Sequence, residues 1–304
     1  MLFLIGGFGF VGCNILKELE RQDNLNDVIV VDDFSNASEE WNEFNVKYIS
    51  GDYSDPEVVN KIKAMKVSHS KFILLAGETR VVESSERPID FLNSNIVKPA
   101  SLVFDVLQAD DELILISTAG AIFNGEMTIS KNLTPSPKNF YGTSKYAEEL
   151  VLNSLCELKK VSFKIVRFTN VYGFFSDKKK SAIHEFCRRA IKSKEIVVNG
   201  DGDQRRDFIF ASDVAESLVR VVLAKEQGSH IFASTKSYSI NEILQILKSR
   251  FPELRVIYRK NEKLIKTEPR NVEVAKGAMS IYFRASVNLE EGINKLIDEF
   301  SNVS

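Results

Sequence analysis

Leu2-Phe-Leu-Ile-Gly-Gly-Phe-Gly-Phe-Val-Gly12 decides the fold. Four apolar residues without polar alternation read as a buried strand, and the glycines after them open a helical pattern, Phe10-Val-Gly-Cys-Asn-Ile-Leu16. Strand, glycine turn and helix together are the context that a phosphate-binding turn needs. Glycines let the backbone turn tightly and approach a pyrophosphate, whose charge is then met by the helix N-terminus. Gly6, Gly9, Phe10, Val11 and Gly12 are therefore expected to line a dinucleotide site.

The same rhythm continues outward. Asp27 to Val31, Val46 to Ser50, Phe72 to Ala76, Glu112 to Ser117 and Ser162 to Phe168 are apolar runs of strand length, with helical patterns between them. Strands apolar on both faces belong in a parallel sheet covered by helices on both sides. The expected class is α/β, a Rossmann-type doubly wound parallel sheet with ligands at the carboxyl ends of its strands. After Thr169 the pattern changes to an irregular segment, Gly173 to Ser181, a helix from Ala182 to Ser193 and the loop Asn199-Gly-Asp-Gly-Asp203. We read residues 1–168 as a nucleotide-binding domain and residues 169–304 as a smaller C-terminal substrate-binding domain, with 207–223 returning to the first. Ser239 to Arg250 and Leu289 to Phe300 read as amphipathic helices.

Composition narrows the function classes. With 304 residues and a net charge of −2, the chain can bury a sizeable core and has no basic surplus for nucleic acid. Lys178-Lys-Lys180 reads as a solvated loop first and a phosphate contact second. The three cysteines, Cys13, Cys156 and Cys187, show neither metal-ligand spacing nor disulfide density, which fits a reducing cytoplasm. His69, His184 and His230 are isolated, so no metal is expected. The opening apolar run lacks a basic leader, and no stretch approaches the roughly 20 apolar residues of a membrane span. A cytoplasmic protein with no membrane partner is expected.

Asp32 ends the second strand 20 residues after Gly12, where a carboxylate binds the adenosine ribose hydroxyls and repels an added phosphate. That favours NAD over NADP. Asp33 is the alternative contact and Asn36 a support for the same loop, although turn chemistry explains either. Asp52, in Gly51-Asp-Tyr-Ser-Asp55, is placed for the adenine edge or for a helix N-cap. Tyr53 and Ala76 complete the expected cofactor wall. Downstream, Asn139-Phe-Tyr141-Gly-Thr-Ser-Lys145 sets a tyrosine and a lysine one helical turn apart. A phenol with an ordinary pKa of about 10 is a poor base. An ammonium on the same helix face favours the phenolate, which can then move a proton while a nicotinamide moves a hydride.

Eight segments fall in one order: GGFGFVG at Gly6, VVDDFSN at Val30, GDYSD at Gly51, LAGETRVVESSERP at Leu75, ISTAGAIF at Ile116, YGTSK at Tyr141, VRFTNVYG at Val166 and NGDGDQRRDFIF at Asn199. In this order the chain resembles the extended short-chain dehydrogenase/reductase family, specifically the NAD-dependent epimerases and dehydratases of nucleotide sugars, over nearly its whole length. The resemblance implies that Tyr141 is the acid/base and that Lys145 holds the nicotinamide ribose and lowers the tyrosine pKa. It also implies a hydroxyl after the fifth strand that bridges to the sugar, with Thr118 favoured over Ser117. Arg206 matches the arginine that clamps the nucleotide diphosphate, a task that suits a guanidinium fork. Asn170 should contact the diphosphate or sugar, and Asn95 should steady the nicotinamide side. Arg270 is the candidate for the family's second arginine, and Arg80 joins the substrate candidates although a surface loop explains it as well. Family members commonly form homodimers through the helix after Asn95 and the helix of Tyr141. Leu102, Val103, Val106, Leu150 and Val151 can serve that contact or the core.

Departures from the family pattern bear on the reaction. Phe123-Asn124 stands in place of Tyr-Gly, Lys98-Pro99 in place of Gly-Thr, and the segment from Arg270 to Leu289 is short. Dehydratases and decarboxylases of the family carry an Asp or Glu just after the catalytic Thr or Ser, because elimination needs a second proton-transfer group. Ala119 and Gly120 stand there. The expectation is a UDP-hexose 4-epimerase, acting on glucose/galactose or N-acetyl forms, in a setting such as polysaccharide assembly. A 4,6-dehydratase or keto-sugar reductase is the alternative, and a catalytically silent NAD-binding protein is a third.

Overall fold

Strand β1, Leu2–Ile5, lies at the centre of a sheet and is hydrogen-bonded on both sides to parallel neighbours, with Leu4 opposite Val30 on one side and Ile73 on the other. The structure, a computed structural model, describes residues 1–123, 128–259 and 271–302. The further strands of this sheet are β2 (Val28–Asp32), β3 (Lys47–Ser50), β4 (Lys71–Leu74), β5 (Glu112–Thr118), β6 (Ser162–Phe168) and β7 (Gly228–Phe232). All pairings are parallel, and the order is β7-β6-β5-β4-β1-β2-β3. The sheet is doubly wound, and the order reverses between β1 and β4. In such sheets the ligand crevice opens at that reversal.

Alternate residues face opposite ways, and away from the edge strands β3 and β7 both faces are dry. Leu4, Val30, Ile73, Ile114 and Val166 pack with the helices Phe10–Arg21 and Ala211–Leu223. Phe3, Ile29, Phe72, Leu113 and Leu115 pack with Pro56–Met65, Lys98–Val106 and Phe140–Lys159. A strand covered twice shows no polar alternation. Gly12 lets the first helix lie directly on the turn, since a Cβ there would come within 2.1 Å of the Gly7 carbonyl oxygen.

A second, smaller core gathers Tyr172, Ile183, Phe210, Ile243, Leu247 and Ile293 beneath the helices Ala182–Ile191, Ile240–Arg250 and Leu289–Asn302. Ser239 and Glu242 close a reciprocal capping box at the start of the second of these helices. Residues 211–223 pack against the first helix, and β7 comes from residues 228–232, inside the stretch read as the second domain. Leu102, Val103 and Val106 are core residues rather than surface ones. Leu150, by contrast, is 54% exposed, and Phe104 and Leu158 are exposed to 62% and 72%. Among the described residues no helix is long and apolar enough to cross a membrane. Cys13, Cys156 and Cys187 are buried and free.

Candidate active site

The crevice at the strand reversal holds two adjoining recesses, of about 330 and 1100 Å³. The first is lined by Gly6, Gly9, Asp32, Asp33, Asn36, Asp52, Tyr53 and Ala76, and the second by Phe10, Val11, Gly12, Ser117, Thr118, Tyr141 and Lys145 as well. Asp32 is buried and does structural work first, because Oδ2 accepts from the Phe8 amide at 2.9 Å and Oδ1 from the Phe34 amide at 2.8 Å. It ties the glycine turn to the loop after β2. Burial pushes its carboxyl above the ordinary range, while those two amides pull it back. Asp33 turns inward on its own loop, accepting from the amide and hydroxyl of Ser35 at 2.9 and 2.6 Å.

Asp52 meets Lys98, and its Oδ1 accepts from the Ser54 amide at 2.9 Å. Burial raises the Asp52 carboxyl, but the hydrogen bonds from Lys98 and Ser54 outweigh it and hold the group below its usual range. Tyr53 is buried, and its hydroxyl has no hydrogen-bond partner among the described residues. Asn95 stands behind the wall rather than on it. Its Oδ1 accepts from the Glu78 amide at 2.8 Å, and its amide donates to the Glu78 carbonyl at 3.1 Å and to Ser144 at 3.2 Å. It pins the loop after β4 to the Tyr141 helix instead of offering a free amide to a ligand.

Tyr141 and Lys145 open the helix Phe140–Lys159, capped by Asn139, whose Oδ1 accepts from the Gly142 amide at 2.8 Å. Ser84 accepts from the Tyr141 amide at 3.1 Å. Thr118 ends β5 and lines the recess with Tyr141, while its Oγ1 accepts from the Ala121 amide at 3.3 Å. Ser117, its neighbour, is buried, and its hydroxyl has no partner among the described residues. Both hydroxyls line the recess with Tyr141.

The lysine differs from expectation. Its ammonium contacts Glu148 and donates to the Ile116 carbonyl at 2.9 Å. Burial pushes the Tyr141 phenol well up, the Glu148 charge adds to that, and only Thr118 opposes it. Lys145 is engaged instead by Glu148, which, three residues on, faces the same buried side of the helix. The sequence Lys145-Tyr-Ala-Glu-Glu reads as a solvated helix face, so Glu148 gave no local sign of its position.

The substrate candidates are less concentrated. Arg80 lines the larger recess and pairs with Glu83. Asn170 donates to the Asp207 carbonyl at 2.9 Å, and Arg206 Nη1 to the Arg205 carbonyl at 2.9 Å. Neither lines the two recesses, and Arg270 and Asn124 lie outside the described residues. Phe123 is core, with the Arg167 guanidinium 5.4 Å from its ring centre. Lys178, Lys179 and Lys180 do line the larger recess. No group of three or more potential metal ligands occurs among the described residues.

The profile of the NAD dependent epimerase/dehydratase family matches residues 2–234. The chain belongs to that family. Its cofactor is accordingly NAD, and the residues present fit a dinucleotide: Gly6, Gly9, Asp32, Asp52 and Tyr53 line one recess, and the buried Tyr53 hydroxyl has no hydrogen-bond partner among the described residues. Among relatives of this epimerase/dehydratase, a putative UDP-glucose 4-epimerase of Methanocaldococcus jannaschii is 27% identical, over 99% of each chain. The mouse dTDP-D-glucose 4,6-dehydratase is 25% identical over 81% of this chain and 73% of that one. A UDP-glucose 4-epimerase of Thermus thermophilus, solved with NAD, superposes with a TM-score of 0.87 at 22% identity, covering 100% of this chain and 99% of that one.

Proposed function

We propose that the protein interconverts the 4-epimers of a nucleotide sugar, a UDP-hexose of the glucose/galactose or N-acetyl series, through a transient ketone. One observation carries this reading: Thr118 and Tyr141 line one recess, and the two positions after Thr118, Ala119 and Gly120, carry no acid. Bound NAD supplies a hydride acceptor. Asp32 and the turn of Gly6, Gly9 and Gly12 hold its adenosine and pyrophosphate ends, and Lys145 the nicotinamide ribose. Thr118 orients the sugar 4-hydroxyl, and Tyr141 removes its proton. When the ketone has turned over in the cleft, so that the hydride NAD would give back adds to the opposite face of C4, Tyr141 returns the proton to the C4 oxygen. Arg206 and Asn170 steady the diphosphate from the second domain. A dehydratase needs a further acid beside C5 and C6, and the Thr118 loop does not supply one at residues 119–123.

Incubation with UDP-glucose, UDP-galactose and their N-acetyl forms should give the 4-epimer with no net change in cofactor. Loss of water from the sugar, net consumption of reduced cofactor, or no product would overturn the reading. The exposed Phe104, Leu150 and Leu158 support a homodimer through the helices Lys98–Val106 and Phe140–Lys159, and light scattering should return twice the chain mass.

A further inference from the structure

The buried carboxylate of Glu148 has no part in the reaction outlined above. It lies seven residues after Tyr141 and three after Lys145, on the side of the helix that faces the sheet. It is 0% exposed, and its charge meets the Lys145 ammonium at Oε2. Neither of its oxygens accepts a hydrogen bond from any other described group. A wholly buried carboxylate normally gathers several donors, since desolvating the charge costs several kcal/mol. Here the compensation comes from the one ammonium that the reaction also uses.

We propose that Glu148 is a positioning residue for the catalytic pair, a buried counter-charge that holds Lys145 against the Ile116 carbonyl and withholds part of the ammonium's field from Tyr141. The inference rests on Tyr141 as the proton carrier. Other charges on the elements around this helix are paired or distant. Arg167 on β6 holds Glu149 at 2.9 and 2.6 Å, and Lys164 on the same strand meets Glu112 at 2.9 Å. Lys98 is taken by Asp52 and Glu83 by Arg80, while Glu86, Asp90 and Asp105 face solvent. Lys159 gives its ammonium to the Val103 and Phe104 carbonyls. Glu148 also raises the Tyr53 phenol, after burial, so its charge reaches both tyrosines.

The carboxyl itself is pushed up to about 7, by burial first, with Lys145 opposing and Glu149 adding. Its charge therefore appears across the neutral range. The sign follows. An ionised Glu148 opposes the Tyr141 phenolate and draws on Lys145, so neutralising it lowers the pH at which Tyr141 ionises.

Glu148→Gln tests this with the shape kept. Tyrosinate absorbance, taken as the difference from the same protein carrying Tyr141→Phe, should show the Tyr141 midpoint falling by about one pH unit or more. The acid limb of kcat should move down with it, while KM stays within about twofold. Glu148→Asp keeps the charge and should leave the limb near its wild-type position. Should Glu148→Gln not fold, Glu148→Leu provides a neutral side chain of similar volume for the same titration. A folded neutral variant whose midpoint and limb do not move overturns the inference and leaves Glu148 a structural residue. The absorbance titration needs no turnover, so a failed epimerase assay with a shifted midpoint counts against the reaction and not against Glu148.

Discussion

The two ends of the cleft are built differently. At the dinucleotide end, the expected residues Gly6, Gly9, Asp32, Asn36, Asp52, Tyr53 and Ala76 all stand in one recess, held by short backbone bonds such as Asp32 to Phe8. At the sugar end, Arg206 and Asn170 are outside both recesses and bond to the carbonyls of Arg205 and Asp207. A pyrophosphate is bound by backbone amides, so its site must exist before the ligand arrives. A sugar is bound by side chains, which can reorient. The difference teaches that the cofactor end is fixed by the fold, whereas on the proposed function Arg206 and Asn170 would have to swing to reach a diphosphate.

Tyr141 stands between the two ends, and removing its hydroxyl gives the largest expected effect. Tyr141→Phe should lower kcat by about 10² to 10⁴, the range for loss of a positioned general acid or base. NAD affinity, read by titration, should stay within about threefold. A variant that lost NAD binding equally would show that Tyr141 belongs to the cofactor end rather than to the chemistry.

Next comes the rigid end. Gly12→Ala would put a Cβ 2.1 Å from the Gly7 oxygen and 2.5 Å from its carbonyl carbon. Both are backbone atoms, so the first helix must lift from the sheet, at or above the upper end of the roughly 1–3 kcal/mol usual for overpacking. Denaturant midpoints measure it. Asp32→Asn is milder. It converts one of two buried acceptors into a donor facing an amide, which costs about 1–3 kcal/mol, and it should weaken NAD about tenfold or more. Unchanged stability with weakened NAD would mean that the ribose contact, not the loop tie, is the larger role.

At the sugar end, Arg206→Ala should raise KM for the nucleotide sugar about tenfold or more, if the guanidinium turns from Arg205 to the diphosphate as a charged hydrogen bond. Stability should change by less than about 1 kcal/mol. The opposite result, a destabilised protein with ordinary KM, would make both ends of the cleft preformed and remove the contrast.

How far each end was legible in the sequence follows the same line. β1, β2, β4, β5 and β6 were readable because their inner residues are dry on both faces, as with Phe3 and Leu4 on opposite sides of β1. The edge strand β3, exposed at Lys47, Tyr48 and Ser50, was found by its β-rich run alone. β7 was not, because Gly228 and Ser229 are exposed and only Ile231 and Phe232 are buried in it. The glycine turn and Asp32 could be placed by spacing, since backbone geometry fixes them. Asn95 was found as a site residue but not in its place: a side chain's reach into a loop 17 residues away is a tertiary fact. Glu148 was invisible for a stronger reason. Burying a charge is unfavourable locally, and only the Lys145 ammonium beside it makes the position tolerable.

Lys98 offers the smallest effect and the sharpest division between the ends. Its pair with Asp52 is 37% and 23% exposed, so solvent screens it and the contact is worth about 0–1 kcal/mol. Lys98→Met keeps the aliphatic stem and should leave the melting temperature nearly unchanged. Asp52 would then lose the hydrogen bond that holds its carboxyl down, while the amide and hydroxyl of Ser54 still anchor it. The recess therefore keeps its shape, and NAD affinity should shift by less than about fivefold at moderate salt, consistent with a contact of that size. A larger loss, growing as salt falls, would mean that Lys98 acts on the ligand directly rather than on Asp52. The cofactor end would then contain one side chain that, like those at the sugar end, has to leave its resting partner to bind.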